Sequence, residues 1–487
     1  MTVWMLMGAL AWSVEPGVDV VEDEAVEDAV QLPDRSSPPP VLPPERLPLT
    51  EPETHALMPG VDVRVVTIQG VRSVSIEAIL HRGSHDLVGG PTEEALALGR
   101  HMSVATRTRD ASTLSILQDM HEVEIYGWLG HHRGGVSLSC PKSELELGTE
   151  LLGEVLQEPA FPKADLKRGQ RFRELFYTVD GPANLGRASQ MAVSYGWFPA
   201  DHPYGARPVL DDVRKVSVKD LHALHQSWLE ISPMTVLVVG DVTWDEVKPL
   251  LETALQGLGV EGEQKPDLPI EEPTGIRVIG IDGPGETQAR IRLRVAAPWR
   301  DAEDRVAADM MVWAFGGHFL SRLNRNLRED KGFTYGSRAR YSTAETRGHV
   351  TVSVDVKAEN VEATIREITA EMNALVEQGV TEDELGAAAL EKISSWNNVK
   401  ESARTAGWFY SGLLRSGETV ADAEARGRKT LDVTAEDARA VAEARLGEEG
   451  TRLWVIAGDR QVLDPQLAAL GFEVEWITPE QAVLGTF

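Results

Sequence analysis

The chain carries one pattern of strands and helices twice. The apolar run TVLVVGD at Thr235–Asp241 recurs as LWVIAGD at Leu453–Asp459, and the final residues are 459 − 241 = 218 positions apart. Three further pairs lie upstream, in the same order in both halves, at offsets of 217, 214 and 219: Val216 with Val433, Val136 with Val350, and Phe161 with Val380. Four matches at nearly one offset predict two homologous halves, so each half must support the same fold.

Each half mixes strands with helices. Apolar β-branched runs such as SVSIEAIL predict strands, whereas the 3.6-residue spacing of apolar residues in VEATIREITAEMNALVEQ predicts a helix. Because the two types do not strictly alternate, the sequence predicts an α+β fold in two tandem domains. The predicted domains are residues 61–262 and 275–487, joined by a polar, proline-containing linker at 263–274.

The N-terminal residues are predicted to lie outside both domains. Residues 1–13 form an apolar run that ends in small residues, as a secretory signal does, although no basic residue precedes Arg35. Residues 14–60 are acidic and then proline-rich, which predicts a disordered spacer. We therefore expect a periplasmic or secreted protein, or a cytoplasmic one if the first run is not a signal.

Composition excludes several classes of function. The formal net charge of −28 disfavours nucleic-acid binding, which needs a basic face. No apolar run reaches the roughly 20 residues of a membrane-spanning helix. The single cysteine, Cys140, permits no internal disulfide and no cysteine-based zinc site, and its apolar surroundings predict a buried thiol.

A stretch of the second half carries a family resemblance. GGHFLSRLNRNLREDKGFTYGSRARY, at Gly316–Tyr341, resembles the second domain of the M16 metallopeptidases, the family of pitrilysin, insulinase and mitochondrial processing peptidase. The resemblance implies two tandem α/β sandwich domains of the LuxS and processing-peptidase type, which form half of a clamshell. It also assigns substrate contact to Arg328 and Tyr335, whose donors suit peptide carbonyls or a terminal carboxylate. The alternative is a surface ion pair for Arg328 and a core position for Tyr335.

The zinc helix of the family is recognisable but altered. Active M16 members bind zinc through HxxEH, and alignment with LALGRHM places Ala97 at the first ligand, Arg100 at the general base and His101 at the second ligand. The third ligand falls near Asn184, with Glu174 as the nearest acidic alternative. Alanine has no lone pair to donate and arginine cannot accept a proton, so we expect no metal and no catalytic residue in this chain.

The other histidine pairs do not predict a replacement site. They are His81 with His85, His131 with His132, and His222 with His225. The first pair would lie about 13 Å apart in an extended segment. The second falls in a polar turn that should be solvated, and the third shares a helix face but lacks a third ligand.

Three functions remain open from the sequence. The preferred hypothesis is a non-catalytic, peptide-binding subunit of a heterodimeric zinc peptidase, whose M16 partner carries an intact HxxEH and the zinc, and whose substrates are unfolded peptides. The first alternative is an active zinc endopeptidase with its ligands in another register, which metal content and chelator sensitivity would reveal. The second is a scaffold subunit of an envelope complex, which would be stable without a peptidase partner.

Overall fold

A computed structural model describes residues 45–487, apart from 91, 264, 266, 267, 272, 345, 448 and 449. The predicted signal and residues 14–44 of the predicted spacer lie outside the described residues. The described part forms two six-stranded sheets with helices packed against them, so the prediction of an α+β fold with two similar halves is confirmed. The exact domain boundaries stay a prediction, because this part packs as one compact unit.

The strands of the described residues fall in two sets of six. They are β1 (Glu53–Met58), β2 (Val61–Thr67), β3 (Ser73–Leu80), β4 (Glu124–Leu129), β5 (Gly134–Pro141), β6 (Met234–Gly240), β7 (Ile276–Asp282), β8 (Gln288–Ala296), β9 (Ser337–Thr343), β10 (Gly348–Lys357), β11 (Arg452–Gly458) and β12 (Val474–Ile477). The first sheet has the order β1-β2-β6-β3-β5-β4, and the second has the order β12-β7-β11-β8-β10-β9.

The helices of the same residues are α1 (Ser84–Val88), α2 (Glu93–His101), α3 (Ala111–His121), α4 (Leu145–Gln157), α5 (Lys163–Leu175), α6 (Gly181–Ala183), α7 (Leu185–Trp197), α8 (Leu210–Lys215), α9 (Val218–Ile231), α10 (Trp244–Ala254), α11 (Arg305–Val312), α12 (Arg322–Asn324), α13 (Val361–Gln378), α14 (Glu382–Asn397), α15 (Ala403–Ser416), α16 (Val420–Asp432), α17 (Ala435–Leu446), α18 (Arg460–Ala469) and α19 (Pro479–Leu484). Short π-helical turns occur at Phe176–Asp180, Trp313–Gly317 and Arg325–Asp330. Single 3₁₀ turns occur at Lys142–Glu144, Pro203–Gly205, Ala358–Asn360 and Asn398–Lys400.

Five strands of one sheet have equivalents in the other sheet, and the sixth strand differs. β6 lies parallel to β2 and antiparallel to β3, and β11 lies in the same way between β7 and β8. The sixth strand comes from opposite ends of the chain: β1 is antiparallel to β2, whereas β12 is parallel to β7. The repeat seen in the sequence is therefore the five-stranded unit with its helices.

The prediction of a spacer through residue 60 is wrong in its last part. Within it, β1 pairs with β2, and residues 45–50 bind the second half. The indole nitrogen of Trp396 donates to the carbonyl of Leu47 at 2.8 Å, and the backbone amide of Thr50 donates to the hydroxyl of Tyr410 at 3.0 Å. The strand escapes a pattern search because it is an edge strand with largely exposed side chains, which need no apolar alternation.

Each half covers one face of the other half's sheet. Helix α7, from the first half, packs on β8 and β11, where Ala188 and Val193 contact the core that contains Ile279 and Val455. Helix α15, from the second half, packs on β3 and β6 in a core that contains Tyr410 and apolar side chains of the first sheet. The central strands are consequently buried on both faces, which explains the uninterrupted apolar run of β6.

Two smaller expectations are also answered by the fold. Cys140 is a buried free thiol, as predicted, and burial raises its pKa to about 12, which keeps it protonated and unreactive. In the part of the chain that the structure describes, no helix is long and apolar enough to cross a membrane.

Candidate functional site

Helix α2 carries Ala97, Arg100 and His101, the residues predicted to form an altered zinc motif, on its outward face. It starts at the cap residue Thr92, whose hydroxyl accepts from the amide of Ala95 at 3.3 Å. Its inner face packs tightly on β4: a Cβ at Gly99 would come within 2.8 Å of the backbone nitrogen of Leu129. Leu98 is fully buried on the same face. Ala97, Arg100 and His101 are thereby directed to the opposite side.

A cavity of about 630 Å³ lies between α2 and α5. The structure brings Ala97, Arg100 and His101 together in its wall, as the sequence predicted. Its other charged lining residues are Glu93, Asp165, Arg168, Arg173 and Arg187. Its apolar lining residues include Leu96, Val104, Leu166, Phe172, Phe176, Val213 and Val216.

His101 packs closely against α5 because Gly169 has no side chain. A Cβ at Gly169 would come within 2.5 Å of the imidazole Nε2, so the ring occupies the space that a larger residue would fill. The Nδ1 atom is buried and has no hydrogen-bond partner. Burial lowers the pKa of His101, Asp165 opposes that shift, and Arg100 adds to it. The imidazole is therefore neutral at pH 7.

The buried carboxylate of this site is already paired. Glu93 is 7% exposed and accepts two hydrogen bonds from the guanidinium of Arg173, at 2.8 and 3.2 Å. The hydroxyl of Tyr177 donates to the same carboxylate at 2.9 Å, and burial raises the pKa of Tyr177, so it keeps its proton. This bidentate pair fixes the spacing between α2 and α5.

Arg100 has no direct partner for its charge among the described residues of the cavity. No hydrogen bond or ion pair joins its guanidinium to any residue that the structure describes. Burial lowers the pKa of Arg100, and the nearby charge of Arg173 lowers it further, although Tyr177 and Glu93 oppose the shift. The two guanidinium groups thus lie close together at the position where the resemblance to M16 peptidases predicts a zinc ion.

The residues present do not fit a zinc ion. Ala97 has no donor atom, and Arg100 and Arg173 are fixed positive charges that repel a divalent cation. Among the described residues, no group of three histidine, cysteine, aspartate or glutamate side chains is arranged to hold a metal. His101 alone supplies one ligand, where catalytic zinc sites use three.

The predicted third-ligand positions lie outside this cavity. Asn184 is exposed and caps α7, its side-chain oxygen accepting from the amide of Arg187 at 3.0 Å. Glu174 lies on α5 but pairs with Arg214, and neither residue is in the cavity lining. The face of α5 that meets the cavity instead carries Asp165, Gly169 and Arg173, spaced four residues apart. Residues four positions apart share one face of a helix, so this spacing in the sequence indicates which face of α5 meets the cavity.

Arg328 and Tyr335 both keep unused donors. Arg328 lies in the π-helical turn with its guanidinium carbon 4.1 Å from the ring centre of Phe319, and its Nη1 is buried without a hydrogen-bond partner. Tyr335 is 98% exposed and follows Gly332, whose φ of +65° turns the chain away from the helix. No hydrogen bond joins the two side chains. The alternative of a core tyrosine is excluded by this exposure.

Tyr335 borders an open groove at the end of the second sheet. The groove has a volume of about 820 Å³ and is lined by residues 331–336 together with residues of β8 and β10. Thr334 fixes this loop, because its hydroxyl donates to the backbone carbonyl of Asp355 at 2.8 Å. Arg328 does not line the groove, so the two predicted substrate residues occupy adjoining but separate positions.

The other histidines serve the fold. His81 bonds the hydroxyl of Thr235 at 2.8 Å, and the Nε2 of His225 lies 2.8 Å from the carbonyl of Leu156. Burial lowers the pKa of each to about 4. The expected solvated turn at His131 is wrong: its ring packs edge-on to Tyr204 at 5.1 Å, and burial lowers its pKa to about 4.

Comparisons with known proteins agree with this architecture. Residues 215–390 match the family model described as the peptidase M16 inactive domain. An uncharacterized zinc protease of Mycobacterium leprae (strain TN) is 28% identical over 292 residues, which cover 57% of this chain and 63% of that protein. An uncharacterized zinc protease of Mycobacterium tuberculosis (strain H37Rv) is 26% identical over 344 residues, covering 68% and 76% of the two chains. The crystal structure of a peptidase M16 inactive domain from Pseudomonas fluorescens has the same fold, with a TM-score of 0.74 at 19% identity over 84% of this chain and 98% of that one.

Proposed function

Because this chain belongs to the M16 peptidase family, we propose that it is a non-catalytic subunit that binds unfolded peptides for a zinc-bearing M16 partner. The observation that carries the proposal is the cavity between α2 and α5. It has Ala97 and Arg100 where a peptidase needs a ligand and a base, and Arg173 beside them. The cavity therefore lacks the first zinc ligand and the carboxylate base of the family's mechanism, and the zinc would belong to the partner.

Peptide binding is supported by groups that remain available. The Nη1 of Arg328 and the hydroxyl of Tyr335 are donors without protein partners, and peptide carbonyls are acceptors of matching chemistry. Strands β4 and β9 are sheet edges, and an extended peptide adds readily to such an edge through backbone hydrogen bonds. A folded protein presents its backbone in this way only at an exposed sheet edge, so the substrates would be mainly unfolded segments.

A second candidate is an active zinc endopeptidase. It is favoured by the printed names of the two mycobacterial relatives, which are called zinc proteases. It is opposed by the cavity, whose arginines exclude a divalent cation. The metal content of the purified chain separates the two: retention of about one zinc per chain after dialysis would support the peptidase, and its absence supports the non-catalytic subunit.

Peptide binding can be tested with a fluorescently labelled, unstructured peptide and the full chain. Arg328→Ala and Tyr335→Phe should each weaken binding, the first by about tenfold because a charged donor is lost. Arg325→Ala is the matched control, since this exposed arginine lies in the same π-helical turn. Unchanged affinity in both variants would remove their substrate role, and no binding by the native chain would refute the proposal.

Turnover tests the second element of the proposal. An M16 subunit with an intact HxxEH should cleave the peptide faster when this chain is added, and Arg328→Ala should reduce that gain.

We also propose export to the periplasm or the medium, for which the apolar run at 1–13 is the support. N-terminal sequencing of the protein recovered from fractionated cells would show whether that run is removed.

A further inference from the structure

We propose that the cavity between α2 and α5 binds a carboxylate carried on an apolar group, and that this group is the C-terminal residue of a bound peptide. The inference rests on the proposed function, because it states which end of a peptide the degenerate site would hold. It would make the former metal position an anion site instead of an empty remnant.

The charges of the cavity are unbalanced in favour of cations. Four arginines, at 100, 168, 173 and 187, face two carboxylates, at 93 and 165. Arg173 is paired with Glu93, and Arg168 is paired with Asp165. Arg100 and Arg187 are left without a carboxylate among the described residues. Such a surplus is conspicuous in a chain whose formal net charge is −28.

The two surplus guanidinium groups are placed for an incoming anion. Arg187 lies over the ring of Phe176, with 4.8 Å between the guanidinium carbon and the ring centre, so its position is set by an aromatic contact that leaves its N–H groups available. Arg100 lies close enough to Arg173 for the two charges to repel each other. An anion bound between the cations would relieve that repulsion and would accept charge-assisted hydrogen bonds.

The remaining wall selects the group that carries the charge. Leu96, Val104, Leu166, Val213 and Val216 line the cavity, and most of its exposed lining is apolar. Inorganic phosphate could accept hydrogen bonds from the arginines, but its remaining oxygens would lose their hydration against the apolar wall without replacement. A C-terminal residue carries a carboxylate and an apolar side chain on one carbon atom, so one group can meet the arginines while the other is buried.

The cavity also has the size and accessibility for such a residue. Its volume of about 630 Å³ lies within the range of about 300–1,000 Å³ that is usual for ligand sites. Phe172, at the rim, is 63% exposed, which leaves an aromatic surface that the preceding residue of a peptide could cover. The imidazole of His101 lies close against Gly169 and closes the wall of the cavity on the side of α5.

The test compares two forms of one peptide on the full chain. An unstructured peptide that ends in leucine, labelled at its N-terminus, is prepared with a free C-terminal carboxylate and as the C-terminal amide. Fluorescence anisotropy should show the acid binding about tenfold more tightly, because a charge-assisted pair is lost in the amide. Arg100→Ala and Arg187→Ala should each reduce that difference, whereas Arg171→Ala, an exposed arginine of α5 outside the cavity, should preserve it.

The outcomes separate this inference from the proposed function. Equal binding of acid and amide, with both weakened by Arg328→Ala, would overturn the inference and leave peptide binding intact. Binding of neither form would overturn the proposed function itself. Displacement of the acid peptide by 4-methylpentanoate at an equal concentration would show that a small carboxylate is the ligand and would overturn the assignment to a peptide end. The thermal unfolding of each variant shows whether a reduced preference for the acid peptide is due to unfolding of the protein.

Discussion

At the scale of single residues, Arg100 affects two requirements of metallopeptidase chemistry at once. It replaces a proton acceptor by a group that remains protonated, and it places a fixed charge beside the metal position. Burial lowers the pKa of Arg100, but arginine remains charged at any pH in which the protein is folded. Arg173 is a second positive charge, which belongs to α5 and is held in place by Glu93. Substitutions at Ala97 and Arg100 would leave it unchanged.

Restoring the motif on α2 should consequently fail to restore zinc binding. In the double substitution Ala97→His with Arg100→Glu, two histidines and a glutamate stand at the family's positions. The cavity face of α5 still offers Gly169 and Arg173, and its one carboxylate, Asp165, is already paired with Arg168. We expect less than about 0.2 zinc per chain after dialysis, since three protein ligands are the rule for a catalytic site. Atomic absorption of the dialysed variant provides the measurement. Stoichiometric zinc would mean that an unrecognised third ligand exists.

Gly169 is predicted to be intolerant of even a methyl group. Gly169→Ala places a Cβ 2.5 Å from the His101 imidazole and should lower the free energy of unfolding by about 1–3 kcal/mol, as overpacking does. Gly386→Ala is the matched control, because this exposed glycine of α14 has no atom within 4 Å of the added carbon. It should be neutral or stabilising by about 0.5–1 kcal/mol. Denaturant unfolding measures the free energy of unfolding of both variants. Equal effects would show that the His101 side chain can move aside without cost.

The shared position of Ala97, Arg100 and His101 in the cavity wall was predictable from the sequence, whereas the residues that face them from α5 were not. Ala97, Arg100 and His101 lie three and four residues apart on one helix, so helical geometry alone places them on one face. Asn184 lies 83 residues after His101, beyond the π-helical turn at Phe176–Asp180 and a break in the helix. Each irregularity rotates the following side chains, and the sequence does not fix by how much.

At the scale of elements, the strands that a sequence pattern reveals are interior strands of the two sheets. β3, β6 and β10 match apolar runs in the sequence, whereas β1, β9 and β12 lie at sheet edges, where one side of the strand meets solvent or loops. In β9, Arg338 and Arg340 alternate with buried residues and dilute the apolar signal. Edge strands are also those whose free backbone groups are available to a partner, so the poorly predicted elements include the proposed peptide-binding ones.

The helices exchanged between the halves depend on equivalent caps. Asn184 starts α7 and Ser402 starts α15, where the Ser402 hydroxyl accepts from the amide of Thr405 at 3.1 Å. Asn184→Ala and Ser402→Ala should each lower the free energy of unfolding by about 1 kcal/mol, and Asn184→Asp should retain it, because aspartate is an equally good cap. Thermal unfolding tests this, and an Asn184→Asp variant as unstable as Asn184→Ala would exclude capping as the role.

At the scale of the whole molecule, neither half should be stable alone. A fragment of residues 45–262 lacks α15, so Val66, Leu237 and Val239 lose their cover and an apolar sheet face is exposed. We expect this fragment to be insoluble or aggregated and to be rescued by co-expression with residues 263–487. Size-exclusion chromatography measures the outcome. A soluble, monomeric fragment with cooperative unfolding would contradict the requirement for exchanged helices.

Neutral histidines at the junction of the halves predict a loss of stability in mild acid. Burial lowers the pKa of His131 to about 4 and of His349 to about 3, and Arg347 contributes to both shifts while its guanidinium lies 3.7 Å from the ring centre of Tyr204. The other histidines that lower the pKa of His131 are His132, His202 and His85.

The sign of this pH dependence follows from which state binds protons. In the unfolded chain these imidazoles have a pKa of about 6.5, so below that pH the unfolded state gains protons that the folded state refuses. Their stabilisation is therefore complete above about pH 6.5 and is lost progressively toward pH 4. The melting temperature should fall between pH 7.5 and pH 5, and His349→Gln should reduce the slope. An unchanged slope would assign the acid sensitivity to other groups.

The exchange of helices also delays completion of the first half during translation. The last strand of the first sheet ends at Gly240, but the helix that covers its outer face begins at Ala403, which is 403 − 240 = 163 residues later. At roughly 5–20 residues per second, the ribosome needs about 8–33 s to supply that helix. During this interval the nascent first sheet presents an apolar face to the cell, so a chaperone that shields such surfaces should bind the chain at this stage of translation.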